Sequence, residues 1–582
     1  MVSGRVATRS WLPYVVAVVA GLGVITATYL VVRPDPTGCV PLVVSSSSEK
    51  SSLISDIAED YNSKDRRFGG HCAAVTVHGL NSGEAMEALA VGWKKDGTEM
   101  DGRPQVWLPT STLWTEQLTL RNPDALPLGS YPSIANSPLV IAIPKEQGAA
   151  LQKHSGGFGW GDVLGVSNQD GWATFGHPEW GKFAFSKDNP ALSTSGLAAT
   201  IATYYAATKK TRDLTVNDLN RPEVTQFVRG IEANVSHYTD DVVDLLRRRA
   251  EADLSRGDDS TRADISAMVM QESLVYLYNK GKLSPEGVPP RMPLAVLHPR
   301  EGTYQLNHPY VVLPGLNEEQ RLAADDFRKF LQEEQQQKVV RDSGLRDRNG
   351  NASADAIKSM EAYGAPARAY FAEPDPAVVN AILENWKKLS KKANILFAID
   401  TSGSMKDPNN PYRLQKATEA AGKGLALLGA EDRVALWSFS SKQHPKAPYS
   451  ERIPLSKFDH GVFAGKLAEL RAEGDTALYA TVRAAHQHLL KKYDPNRINA
   501  VVVLTDGENT DPVDNDLAAL LRDIRLDPER PVKVFCIAFD KDSDLAALDK
   551  IAKASGGKAF NAQNPEKIDE VFELVVRSFG AG

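Results

Sequence analysis

The stretch Ile395-Leu396-Phe397-Ala398-Ile399-Asp400-Thr401-Ser402-Gly403-Ser404 passes from five consecutive apolar residues straight into an oxygen-rich loop. A short apolar run bounded by turn residues reads as a buried strand. That strand therefore ends in one carboxylate, Asp400, and the hydroxyls of Ser402 and Ser404. Further oxygen donors follow at Thr476 and in Thr505-Asp506-Gly507, the latter after another apolar strand. The inventory suits a hard divalent cation: Mg2+ prefers octahedral oxygen ligands and keeps part of its water, so a few protein donors and an open position serve it. Ca2+ or Mn2+ would use the same donors.

Working outward, the periodicity predicts a helix over 377–390, strand 394–399, helix 413–429, strand 433–440 and an edge segment near 451–458. Helices over 461–472 and 476–490, strand 499–505, helix 516–525, strand 532–539, helix 543–554, strand 558–560 and a final helix 565–579 complete the pattern. Strands alternating with helices predict a doubly wound, mostly parallel, Rossmann-like α/β sheet. Sites in such sheets gather at the carboxyl ends of strands, which is where Asp400 and Asp506 fall. Asp-x-Ser-x-Ser after a strand, a distant Thr and a later Thr-Asp-Gly resemble the metal-ion-dependent adhesion site of von Willebrand factor type A domains. The resemblance implies a domain over 393–582 whose ion is held by Asp400, Ser402, Ser404, Thr476 and Asp506. It also implies an adhesion-type role, in which a protein partner offers an acidic residue to the metal.

At 582 residues the chain is too long for one core, and the reading is two folded domains and an anchor. Charged residues make up 24% and the net charge is −6, an ordinary soluble surface with no basic excess for nucleic acid. Residues 11–32 form an uncharged apolar run long enough to cross a bilayer as a helix. Arg5 and Arg9 precede it, so residues 1–10 are expected in the cytoplasm and everything after Val32 outside the cell membrane, in a single-pass topology. Thr37-Gly38-Cys39 is similar to a lipoprotein box, but Pro36 stands where that box places Leu.

From residue 33 to 366 apolar strands again alternate with helical patterns, and 367–392 reads as a linker and helix. The residues from about 344 to 376 carry no strand run and read as linker with a partial helix. Ser45-Ser46-Ser47-Ser48-Glu49-Lys50 after the first strand, Val106-Trp107-Leu108-Pro109-Thr110-Ser111 and the crossing segment 135–144 come in a telling order. With Ser193-Thr194-Ser195-Gly196-Leu197 and the closing helix from Glu318, they resemble an extracellular solute-binding protein of the type 2 periplasmic class. The resemblance implies two α/β lobes with a cleft between them. Helix N-termini direct N–H groups into such a cleft, so Ser46, Ser47, Thr110, Ser111, Ser137, Ser193, Thr194 and Ser195 are candidates to hold a small polar solute or oxyanion. Ser and Thr are also preferred helix N-caps, so each cluster has a purely structural alternative. Trp107, Trp114, Trp160, Trp172 and Trp180 either line the cleft or pack loops onto the core.

Cys39 opens the strand Val40–Val44 and Cys72 opens Ala73–Val77. If these strands are parallel neighbours, both thiols lie at one edge and can form a disulfide, which an oxidising exterior preserves. Cys536 sits inside an apolar strand and reads as a small buried hydrophobe. No nucleophile–base pair is evident, no Gly-x-Ser-x-Gly elbow surrounds Ser402, and His486 and His488 are two apart, off a shared helix face and expected to be solvated. The chain reads as a binder and not an enzyme, with a receptor component of an ABC-type transport system as one alternative and a metal-assisted hydrolase as the other.

Overall fold

The computed structural model describes residues 38–562 and Val575, apart from 65, 96–97, 101, 128, 156–157, 168–170, 240, 257–265, 285–286, 364–368, 407–412, 426–427, 430, 445–446, 528–529 and 540–542. The apolar run 11–32, the tail before it and the final helix 565–579 lie outside the described residues, Val575 excepted. Among the described residues no helix is long and apolar enough to cross a membrane.

The first lobe is a four-stranded sheet. Val40–Ser46 lies between Ala73–Gly79 and Val106–Leu108, parallel to both, and Val311–Val312 adds an antiparallel edge. Parallel pairing brings Cys39 and Cys72 to one end of adjacent strands, where they form a disulfide with Cα atoms 4.6 Å apart. In the second lobe Ala135–Pro144 runs antiparallel to Ala267–Gln271 and Leu294–Leu297, and Phe185–Asp188 joins parallel to Ala267–Gln271 and Val235–Thr239. The crossing strand earns its name: Ala135 belongs to the first lobe's apolar core, and Leu139, Ile141 and Ile143 to a core that spans both lobes.

Two expectations are corrected here. The residues read as linker contain Arg346–Asp347 and Ala362–Tyr363, which pair with Ala135–Pro144 and Leu294–Leu297 and so belong to the second lobe. Strands of two residues leave no run in a sequence. The helix expected over 377–390 is present as Pro376–Leu389, but its apolar face is not on the C-terminal sheet. Asp375 caps it by accepting from the Ala377 N–H (2.8 Å), and proline at the first position suits a helix start. Val378, Val379, Ile382, Leu383 and Trp386 then fall on one side and enter the core shared by the two lobes. The helix packs on Thr112–Arg121 of the first lobe and on Thr194–Thr208 and Pro222–Asn234 of the second, so it straps the lobes together.

After Ser390 and Lys391 the chain enters the C-terminal domain. Its sheet order is Ala447–Lys457, Arg433–His444, Lys392–Asp400, Arg497–Thr505, Val532–Phe539 and Ala559–Ala562, parallel except at the Ala447–Lys457 edge. Ile395 to Ile399 are fully buried because helices cover both faces of this central strand. Cys536 is buried in Val532–Phe539, two strands along the same sheet. His486 is buried under the sheet, and His488 lies edge-on to the Trp437 ring at 5.1 Å, so neither histidine is solvated as expected. Helix Leu478–Lys491 packs on five strands of the sheet and leaves little of its surface to water.

Candidate functional site

Asp400, Ser402, Ser404, Thr476 and Asp506 converge at the carboxyl end of the C-terminal sheet. Asp400 closes the central strand and is wholly buried. The Ser402 N–H donates to its Oδ1 (2.8 Å) and the Thr505 hydroxyl to its Oδ2 (2.6 Å), which fixes the carboxylate plane. The Ser402 and Ser404 hydroxyls lie 2.9 Å apart, and Ser404 donates to Asp506 Oδ1 (2.8 Å). Thr476 arrives on a loop stitched to the first: the Gly403 N–H donates to the Gly474 carbonyl (2.7 Å) and the Glu473 N–H to the Thr401 carbonyl (2.8 Å). A β-carbon placed on Gly507 would sit 3.5 Å from Thr476 Oγ1 and 3.8 Å from Ser404 Oγ, so both hydroxyls border the same space.

The electrostatics of this spot favour a cation. Burial, and then the nearby Asp506 charge, push the Asp400 carboxyl up to about 7. Burial also raises Asp506, against the lowering effect of Arg413 and Ser404. Two carboxylates taken out of water without enough positive charge resist ionisation. Arg413 supplies part of that charge, donating to Asp506 Oδ2 (2.8 Å) and to the Ser404 carbonyl (3.1 Å). The remaining donors, two carboxylates and three hydroxyls, are all hard oxygen and fit Mg2+, Ca2+ or Mn2+.

The solute candidates are distributed differently. Between the lobes lies a cavity of about 20 Å³, bordered by Thr110, Ser193, Thr194 and Ser195 together with Glu49 and Asp241. Ser46, Ser47, Ser111 and Ser137 do not border it. Their hydroxyls serve the protein: Ser47 donates to Glu49 (2.6 Å), Ser111 accepts the Leu113 N–H as a helix cap (3.3 Å), and Ser137 donates to Ser273 (3.5 Å). Thr110 also donates to Glu49, and Ser193 to Asp188 (2.5 Å). The lobes meet directly around this cavity. The Gly83 N–H donates to the Leu192 carbonyl (3.0 Å), and Trp114 Nε1 to Thr194 Oγ1 (2.7 Å). A β-carbon on Gly83 would fall 2.6 Å from the Leu192 carbonyl oxygen, so only glycine permits that approach. All five tryptophans singled out above are buried and none borders the cavity.

Sequence reasoning missed Glu49, Asp241, Gln271 and Arg413, and it named Thr505 as an oxygen donor without its bond to Asp400. Glu49 and Lys50 follow a serine run and read as ordinary polar residues at a helix start. Gln271 ends a strand, the position where ligands gather in α/β sheets, and that was the available signal. Nothing local marks Arg413, which reaches Asp506 across 93 residues of sequence.

Comparison with known proteins agrees with this division. A family model described as von Willebrand factor type A domain matches residues 394–574. One described as bacterial extracellular solute-binding protein matches residues 42–346. An uncharacterized protein of Mycobacterium tuberculosis is 23% identical over 529 residues, which cover 89% of this chain and 73% of the relative. Among solved structures, a von Willebrand factor type A protein from Catenulispora acidiphila is 22% identical with TM-score 0.28, over 32% of this chain and 42% of that one. A sulfate-binding protein from Mycobacterium tuberculosis is 14% identical with TM-score 0.37, over 56% of this chain and 94% of that one.

Proposed function

Because this chain belongs to the bacterial extracellular solute-binding protein family and carries a von Willebrand factor type A domain, we propose that it is a membrane-anchored binding protein of the cell exterior that captures a protein partner through a divalent cation. The observation that carries this reading is the buried pair Asp400 and Asp506, both pushed toward protonation beside the hydroxyls of Ser402, Ser404 and Thr476. Asp400, Ser402, Ser404, Thr476 and Asp506 would hold the ion. When bound, the ion supplies a Lewis-acidic position at which a partner's carboxylate completes the coordination. Arg413 keeps one Asp506 oxygen engaged, which orients the other toward the ion or its water. The first module would add recognition of a small molecule.

A second reading, the receptor of an ABC-type transporter, draws on the solute-binding match over 42–346. Delivery of a solute requires the lobes to part, and the Pro376–Leu389 strap opposes that motion.

The test is a calorimetric titration of the full chain with MgCl2 and MnCl2, alongside affinity capture in Mg2+ and in EDTA. We expect one cation site in the wild type, lost in Asp400→Ala and weakened at least tenfold in Asp506→Ala, with partner capture failing in EDTA and in both variants. Unchanged cation binding in both variants, or capture that survives EDTA, overturns the reading.

A further inference from the structure

We propose that Arg413 sets the charge of the loaded cation site: by pairing with Asp506 it withholds part of the protein's negative charge from the ion, so that the site still attracts an outside carboxylate. This deepens the reading of Asp400, Ser402, Ser404, Thr476 and Asp506 as a cation site that captures an acidic partner, and rests on it. Two carboxylates balance a divalent ion by themselves, and an ion balanced in that way gains little from a third.

Both carboxylates are engaged by the protein itself. Arg413 Nη1 donates to Asp506 Oδ2 (2.8 Å) and the Ser404 hydroxyl to Asp506 Oδ1 (2.8 Å). The same Arg413 nitrogen donates to the Ser404 carbonyl (3.1 Å), which ties the guanidinium to the loop carrying two of the hydroxyls. Asp400 accepts the Ser402 N–H on one oxygen and the Thr505 hydroxyl on the other. Hydroxyl ligands are neutral and leave an ion's charge intact. The charge that the site presents to a partner is therefore decided by how much of Asp400 and Asp506 reaches the ion, and Arg413 acts on the second of these.

Burial gives this pairing its weight. The Arg413 and Asp506 side chains are 5% and 0% exposed. Charges held away from water act on one another with little screening, whereas the exposed pair Lys442 and Glu473 (3.6 Å), on the neighbouring loops, is screened by solvent and salt. A buried ion pair is also weak grounds for stability, since taking two charges out of water costs about as much as their attraction contributes. Its place at the first residue of helix Arg413–Leu425, in contact with two members of the donor set, is accounted for by its effect on the ion. A neutral residue at 413 removes one positive charge from that spot, whatever else the guanidinium touches. Two affinities then move in opposite directions: the cation's rises and the outside carboxylate's falls.

The experiment uses the full chain with Mn2+ as the cation and acetate as the carboxylate probe. Free Mn2+ is followed by its paramagnetic resonance signal, and acetate by the fall in water-proton relaxation as it displaces exchangeable water from the bound ion. In the wild type we expect Mn2+ binding that Asp400→Ala abolishes and a saturable acetate effect. Arg413→Gln keeps a side-chain N–H donor and loses the charge, so Mn2+ should bind several-fold tighter and acetate about tenfold more weakly. Because a single nitrogen of Arg413 makes both bonds, an ammonium can replace it, and Arg413→Lys should keep both affinities near those of the wild type. A merely structural role would weaken Mn2+ in both variants. If Arg413→Gln does not fold, Asp506→Asn decides: it removes a negative charge from the same pair, so acetate at saturating Mn2+ should bind more tightly. The proposal is overturned if acetate has no effect in the wild type, if Arg413→Gln weakens Mn2+ or leaves acetate unchanged, if Arg413→Lys splits the affinities as Arg413→Gln does, or if Asp506→Asn does not tighten acetate. Each of those results leaves the cation site standing. Mn2+ binding no stronger than in Asp400→Ala removes the cation reading itself, and this inference with it.

Discussion

At the scale of residues, the two carboxylates at the end of the C-terminal sheet carry the chemistry. Asp400 titrates near 7 in the folded chain because it is buried and lies close to Asp506, against an ordinary value of 3.8. A folded-state pKa above the unfolded one means that the native state binds the extra proton. The associated stability is present below about 4 and is lost as pH rises through about 7. In EDTA we therefore expect the Tm of the C-terminal domain to fall between pH 4.5 and pH 7.5, by an amount corresponding to roughly 4 kcal/mol at most. Asp400→Asn should flatten that fall, and Mg2+ should reverse it by stabilising the ionised form. Unfolding curves over the pH series, with and without the metal, check all three. Asp400, Ser402, Ser404 and Asp506 were legible because each sits within a few positions of a strand end, whereas Thr476, on a loop between two helices, was tied to the site only through the resemblance. Arg413 was not legible, and neither was the bond from Thr505 to Asp400, since both depend on which segments meet.

At the scale of elements, helix Pro376–Leu389 decides how the first module behaves. Its sequence announces a helix: Asp375 caps it, proline starts it, and five apolar residues line one side. Where that side packs is not announced. Trp386 is fully buried, with its ring 5.8 Å edge-on from Tyr238 of the second lobe. Truncating it removes that packing and leaves a cavity, so Trp386→Ala should cost about 3–5 kcal/mol in urea unfolding. Hydrogen exchange should accelerate in Thr112–Arg121 and Thr194–Thr208 alike, because the strap touches both lobes. Acceleration confined to one lobe would show that the helix belongs to that lobe and not to their junction.

At the scale of the whole molecule, the cores of the two modules are separate apart from Ile498, which touches both. The charged contacts between them, Lys553 with Glu251 (3.9 Å) and Lys558 with Asp244 (3.6 Å), are exposed and each contributes at most about 1 kcal/mol. Calorimetry should therefore resolve two transitions. Mg2+ should raise only the C-terminal one, whereas reduction of Cys39–Cys72 should lower only the first, by roughly 3–4 kcal/mol for a closed loop of this length. A single transition responding to both treatments would mean that the modules unfold as one unit. Alternating apolar runs and helical periods were enough to specify two α/β units and the strand ends that carry Asp400, Ser402, Ser404 and Asp506, because strand burial and turn chemistry are local properties written in consecutive residues. Only the tertiary structure decided that the strap helix closes the two-lobed module, that two-residue strands extend the second lobe, and that Glu49 accepts the hydroxyls expected to hold a solute. Those outcomes depend on contacts between residues far apart in the chain, where packing and charge compensation are settled only after the lobes have met.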